Sequence, residues 1–173
     1  MNQDQRGFTL IEVVAVTAIT AIIAVATSMG IFQVVKDTER NNEHITAVNQ
    51  VRSASQWISQ DVQRGQQLIL DDLVSPDFLI VKWTDWDSDD KHEITYTLED
   101  MPGAESKQLC RSEIINEDEP VTSFVAQYID SDPAKTCCEL DSGKLILTIT
   151  ATVSLGLQTK SETRVFEILP RPD

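Results

Sequence analysis

The chain has no proline before Pro76 and, from Phe8 to Val35, no ionisable side chain except Glu12. The first absence removes the residue that most readily breaks a helix. The second leaves an apolar run long enough to cross a bilayer core, which takes about 20 residues. Histidine is scarce: His44 and His92 lie far apart in sequence, and no cysteine near either completes a nucleophile dyad. Neither a Gly-x-Ser-x-Gly elbow, a Gly-rich phosphate loop nor a metal-ligand spacing is present, so no enzymatic activity is expected. Basic residues are few, 14 Lys and Arg against 28 Asp and Glu, and the formal net charge is -14. They are scattered, with no basic patch, which argues against a direct nucleic-acid partner.

The apolar run does not read as an ordinary secretory signal. Cleavable signals place the basic region, the apolar region and the cleavage site in that order, and here no small-residue cleavage motif closes the far end of the run. A short leader with Arg6 as its only basic side chain would remain cytoplasmic, although Lys36 and Arg40 on the far side oppose that bias. Glu12 is the discriminating residue. A carboxylate within a membrane helix costs about 2.5 to 3.5 kcal/mol on insertion scales. It either reaches interfacial water or serves a function that supplies a countercharge.

Gly7, Phe8, Thr9, Leu10, Ile11 and Glu12 match residue for residue the core of the signal of type IV pilins and pseudopilins, which Met1 to Val35 resembles. The resemblance implies cleavage by a membrane prepilin peptidase at the Gly7/Phe8 bond and methylation of the new amino terminus on Phe8. It also implies that Glu12 meets the amine of a neighbouring subunit and sets register during assembly. The physics agrees, because an ammonium and a carboxylate are each costly in hydrocarbon and pairing offsets that cost only when a second subunit is present.

Beyond Val35 the pattern stays helical. Ile45, Val48, Val51, Ala54, Ile58 and Val62 recur at three- or four-residue steps, with Arg52, Gln56, Ser59 and Gln63 between them. One helix from about Thr9 to Arg64 is expected, with Gly65 as its stop. After Gly65 the period changes to two. Phe78 to Trp83, His92 to Leu98, Lys144 to Leu157 and Arg164 to Leu169 read as strands, and such alternation suits antiparallel strands with one buried face. The expected fold class is therefore α+β: a long N-terminal helix packed against a C-terminal antiparallel sheet. The expected organisation is a leader (1–7), a transmembrane and assembly helix (8–35), an amphipathic continuation (36–65) and a globular β-rich head (66–173).

Ile94-Thr-Tyr-Thr-Leu98 followed by Leu109-Cys-Arg111 is similar to the strand pair of J-type pseudopilins and related minor pilins. Trp57-Ile-Ser-Gln-Asp-Val-Gln-Arg64 is similar to the end of that group's helix. Major pilins usually carry a proline in the membrane half, and its absence here favours a minor subunit.

Cys110, Cys137 and Cys138 are candidates for one disulfide, Cys110 with Cys137 or Cys138, in an exported domain; three free thiols are the alternative. Asp85, Asp87 and Asp89 offer hard oxygens to calcium, which some pseudopilins bind in head loops. The EF-hand pattern fails, with Asp90 in the sixth place and Tyr96 in the twelfth; the other reading is a solvated acidic hairpin loop. No other cofactor is expected. Trp57 reads as core on the helix stripe, and Trp83 and Trp86 as either loop-tip anchors or buried sheet residues.

The sequence thus reads as a minor pilin or pseudopilin subunit of a type IV pilus or type II secretion filament, a mechanical rather than catalytic component. Its expected partners are other pilins or pseudopilins, prepilin peptidase, the inner-membrane assembly platform with its motor, and the membrane. Its expected place is the bacterial cytoplasmic membrane, leader inside and head outside. The alternative is a single-pass anchored surface domain that binds a ligand or calcium without polymerising.

Overall fold

The computed structural model describes residues 9–70, 73, 75–154 and 159–171. The expected α+β layout is present. One helix, α1 (Leu10–Arg64), is followed by eight strands: β1 (Gln67–Ile69), β2 (Asp77–Thr84), β3 (Lys91–Asp100), β4 (Lys107–Ile115), β5 (Val121–Ile129), β6 (Cys137–Asp141), β7 (Lys144–Val153) and β8 (Lys160–Ile168). The chain divides into two compact units, the first reaching Asn41 and the second running from Asn42 to Asp173.

In the first unit every described side chain up to Glu39 is exposed. The most apolar stretch of α1 has a mean hydropathy of 2.3, none of it buried by the chain itself, and α1 is long and apolar enough to cross a membrane. Its hydroxyls do not break the apolar character. Thr20, Thr27, Ser28 and Thr38 each donate to the carbonyl four residues earlier at 2.8 Å, and Thr17 to that of Val14 at 2.9 Å. Side-chain to backbone bonds of this kind satisfy hydroxyls locally where water is absent.

In the second unit the rest of α1 lies on an antiparallel sheet of order β1-β2-β3-β4-β5-β7-β6, with β8 on the other edge of β7. β5 meets β7 only at Ile129 and Ala151. Two hairpins are closed by residues in the left-handed region. Ser142 and Gly143 (φ 50 and 80) join β6 to β7, and Asn116 and Glu117 (φ 51 and 67) join β4 to β5. Two successive residues of positive φ give the turn whose twist matches that of the paired strands. The register of β5 on β4 slips between Leu109, opposite Ala126, and Cys110, opposite Phe124. The resulting bulge turns both Val125 and Ala126 into the core.

The core joins Ala47, Val51, Ala54, Ile58 and Val62 of α1 to Leu79, Val81, Ile94, Tyr96, Leu109, and the inward row Leu145, Leu147, Ile149, Ala151 and Val153 of β7. That row lies in the strand expected from Lys144, where it alternates in sequence with Ile146, Thr148, Thr150 and Thr152. The helical stripe is corrected at its start: Ile45 is 54% exposed, and Glu43 and Ala47 take the buried positions. α1 ends where expected, the Gly65 N–H donating to the carbonyls of Asp61 (2.8 Å) and Val62 (3.2 Å). A Cβ on Gly65 would lie 2.5 Å from Cγ1 of Val81, so glycine lets the helix end close directly onto β2.

β1, β5 and β6 were not anticipated, and β8 begins four residues before the expected Arg164. Of the strand expected to reach Leu157, Leu155, Gly156 and Leu157 lie outside the described residues.

Candidate functional site

Two places hold side chains whose setting calls for explanation: the start of α1 and the buried face between α1 and the sheet. Gly7 and Phe8 lie outside the described residues. The structure begins at Thr9, whose carbonyl accepts the N–H of Glu12 at 3.0 Å and of Val13 at 3.3 Å, opening the helix. Glu12 therefore falls in the first turn, where free N–H groups and the helix dipole favour a negative charge. That setting tempers the penalty for an acid in this apolar run, but no side chain of the described chain pairs with it.

The second place was not foreseen as a site, though its members lie in the segments singled out above. Tyr96 of β3 and Arg111 of β4 are direct cross-strand neighbours, and both face Asp61 of α1. The Arg111 guanidinium donates from Nε to Asp61 Oδ2 at 2.7 Å and from Nη2 to Oδ1 at 3.3 Å, while the Tyr96 hydroxyl donates to Oδ2 at 2.5 Å. Asp61 is 2% exposed, Arg111 7% and Tyr96 0%. Arg111 Nη1 also donates to Glu113 Oε2 at 2.9 Å, and its guanidinium stands 5.5 Å from the ring centre of Trp57. Beyond Glu113, His92 Nδ1 lies 3.2 Å from Oε1, and the imidazole stacks on Trp83 at 4.8 Å.

The electrostatics follow from this arrangement. Burial, then the Asp61 charge, push the Tyr96 phenol far above its ordinary range, so it remains a hydrogen-bond donor. Burial works against the Arg111 cation, but its bonds to Asp61 and Glu113 outweigh that and raise it. Burial pushes Glu113 up, yet Arg111 and His92 win and hold it below the usual carboxylate value. The arrangement is a satisfied clamp, with each polar atom used by a neighbour and no nucleophile presented to an open site. Trp57, expected in the core, is 40% exposed; it covers the guanidinium instead.

The remaining expectations are placed as follows. All three cysteines are free, the alternative to a pairing of Cys110 with Cys137 or Cys138. Cys110 is on β4 and the other two on β6, with β5 and β7 between them in the sheet order, and Cys110 Sγ lies 3.5 Å from Glu99 Oε2. Asp85, Asp87 and Asp89 do not converge. They follow the tight β2–β3 turn, where Asp89 N–H donates to the Asp85 carbonyl, and among the described residues no group of three or more His, Cys, Asp or Glu side chains could hold a metal ion. Trp83 is buried, whereas Trp86 at the turn is 79% exposed.

A cleft of about 590 Å³ crosses the ends of β1 to β4 beside His92. Its polar side chains bond mostly to the protein. Lys82 pairs with Glu93 at 2.8 Å, the Gln66 amide bridges the backbone N–H and carbonyl of Thr84, and Asn116 binds Asp90 and the Lys91 N–H.

Residues 2–28 match the family model described as the prokaryotic N-terminal methylation motif. The chain therefore carries the signal of type IV pilins and pseudopilins. That signal, with the apolar helix behind it, marks a type IV pilin-like substrate of prepilin peptidase and is consistent with membrane anchoring. Neither a curated protein nor a solved structure matches the chain.

Proposed function

We propose that the chain is a minor pilin or pseudopilin, cut at Gly7/Phe8, methylated on Phe8 and assembled through α1 into a type IV pilus or type II secretion filament. The observation that carries this reading is the methylation motif at residues 2–28 running straight into a helix whose apolar side chains are all left exposed up to Val35. Such a surface needs lipid or other helices to cover it. Glu12 is the assembly residue: its carboxylate pairs with the Phe8 amine of a neighbouring subunit, which removes two costly charges from hydrocarbon together. The work is architectural, not enzymatic. Other pilins, prepilin peptidase and the inner-membrane platform are its partners, and the head lies outside the cytoplasmic membrane.

The test has two arms in a peptidase-competent host. Mass spectrometry of the mature protein is expected to show methylated Phe8 as the first residue, and an intact Met1 would refute processing. Glu12→Ala is expected to abolish incorporation into filaments while leaving cleavage intact. Unchanged incorporation would leave the chain an anchored surface domain that does not depend on this pairing.

A further inference from the structure

The sheet-bound stretch of α1 is held unequally at its two ends. Near Arg64 it is fastened by the Asp61 clamp and by the large side chains of Ile58 and Val62, which are fully buried. At the other end the first buried position belongs to Glu43, which is 5% exposed and whose Oε2 has no hydrogen-bond partner. Two residues on, Ile45 points outward. An acid inside and an isoleucine outside reverse what burial favours, and a buried polar atom left unpaired forfeits its hydration without return. The next inward side chain is only Ala47. Among the described residues, the two hydrogen bonds that tie this part of α1 to β5, from the Gln127 N–H to Gln50 Oε1 (2.7 Å) and from the Ser53 hydroxyl to the Val125 carbonyl (2.8 Å), lie beyond it.

We propose that residues 42–48 form a release segment, the turns of α1 that open from the sheet first while the Asp61, Arg111 and Tyr96 clamp stays closed as the pivot. Opening returns the Glu43 carboxyl to water, and Ala47 is the one fully buried apolar side chain of the segment itself. The head can then shift on the helix without unfolding. The device belongs to the folded chain and holds whether or not the chain assembles.

Hydrogen exchange followed by mass spectrometry on the full-length protein in detergent micelles tests it. Amides of residues 43–50 are expected to exchange at least about tenfold faster than those of 58–62, in the manner of local opening. Glu43→Met, which keeps the length of the side chain and removes the carboxylate with its unpaired Oε2, is expected to slow the first set about tenfold and leave the second unchanged. Equal protection of the two sets in the unaltered protein overturns the proposal, as does a Met variant whose first set exchanges as fast as before or faster. Should that variant not fold, the comparison within the unaltered protein decides alone.

Discussion

Two stretches of a single helix solve the same problem in opposite ways. From Leu10 to Val35 the apolar side chains of α1 are left exposed among the described residues, and the hydroxyls turn back on their own backbone. From Asn42 to Arg64 one face is buried against the sheet and the other is polar except at Ile45 and Trp57. The acids mark the contrast. Glu12 sits in an apolar run with only the helix end to favour it, whereas Asp61 is buried deeply and satisfied by Arg111 and Tyr96. Under the proposed function the first stretch is completed by molecules outside the chain; the second is completed by the chain itself. A buried charge is tolerable where its partner is folded in with it, and becomes a demand for assembly where it is not.

That contrast can be broken most forcefully at the clamp. Arg111→Met leaves the Asp61 carboxylate buried without its cation and is expected to destabilise the head by about 3–5 kcal/mol. Thermal unfolding followed by circular dichroism in detergent measures it, and Glu12→Ala under the same conditions is expected to leave the transition where it was. A clamp variant as stable as the unaltered protein would show that the two stretches do not differ as described.

A second, smaller effect is expected in acid. Glu113 is held below its ordinary value of 4.5 despite partial burial, because Arg111 and His92 favour its charged form, and Asp130 is likewise lowered, chiefly by its bond to Lys135. A carboxylate depressed in the folded state contributes stability that is complete above its unfolded value and lost as pH falls through the folded one. The melting temperature should therefore fall more steeply below about pH 4.5 for the unaltered protein than for Glu113→Gln. Parallel curves would remove Glu113 from the clamp.

The smallest expected effect is one of rates within the head. Burial, followed by the nearby Glu99 charge, pushes the Cys110 thiol up to about 11, and burial with neighbouring Cys137 also raises Cys138. At neutral pH both should alkylate more slowly than free cysteine, since the thiolate is the reactive form. Timed labelling with iodoacetamide and peptide mapping gives the rates, and Cys110 reacting as fast as free cysteine would contradict its placement.

Much of this was legible in the sequence. The extent of α1 followed from the missing prolines and from Gly65, and the inward row of β7 from strict alternation of Leu145 to Val153. What escaped depended on distant residues. Asp61 reads in isolation as a solvated helix residue, and only the pairing of Tyr96 with Arg111 gives it buried partners. The stripe near Ile45 was misphased because apolar spacing alone cannot foresee that Glu43 turns inward. β5 was hidden by a bulge that puts Val125 and Ala126 on the same side, and β6 by its brevity and by Glu139 and Asp141. The acidic turn from Asp85 suggested calcium because composition says nothing of whether carboxylates converge.

Strand β8 pairs with β7 alone among the described strands, so its other margin offers unpaired backbone groups along Lys160–Ile168. Lys160, Glu162, Arg164 and Glu167 punctuate that margin. Ionic side chains spaced along an open edge discourage uninvited strand addition. Were copies to crowd together, four charges so placed would oppose the merging of neighbouring sheets into one continuous ribbon.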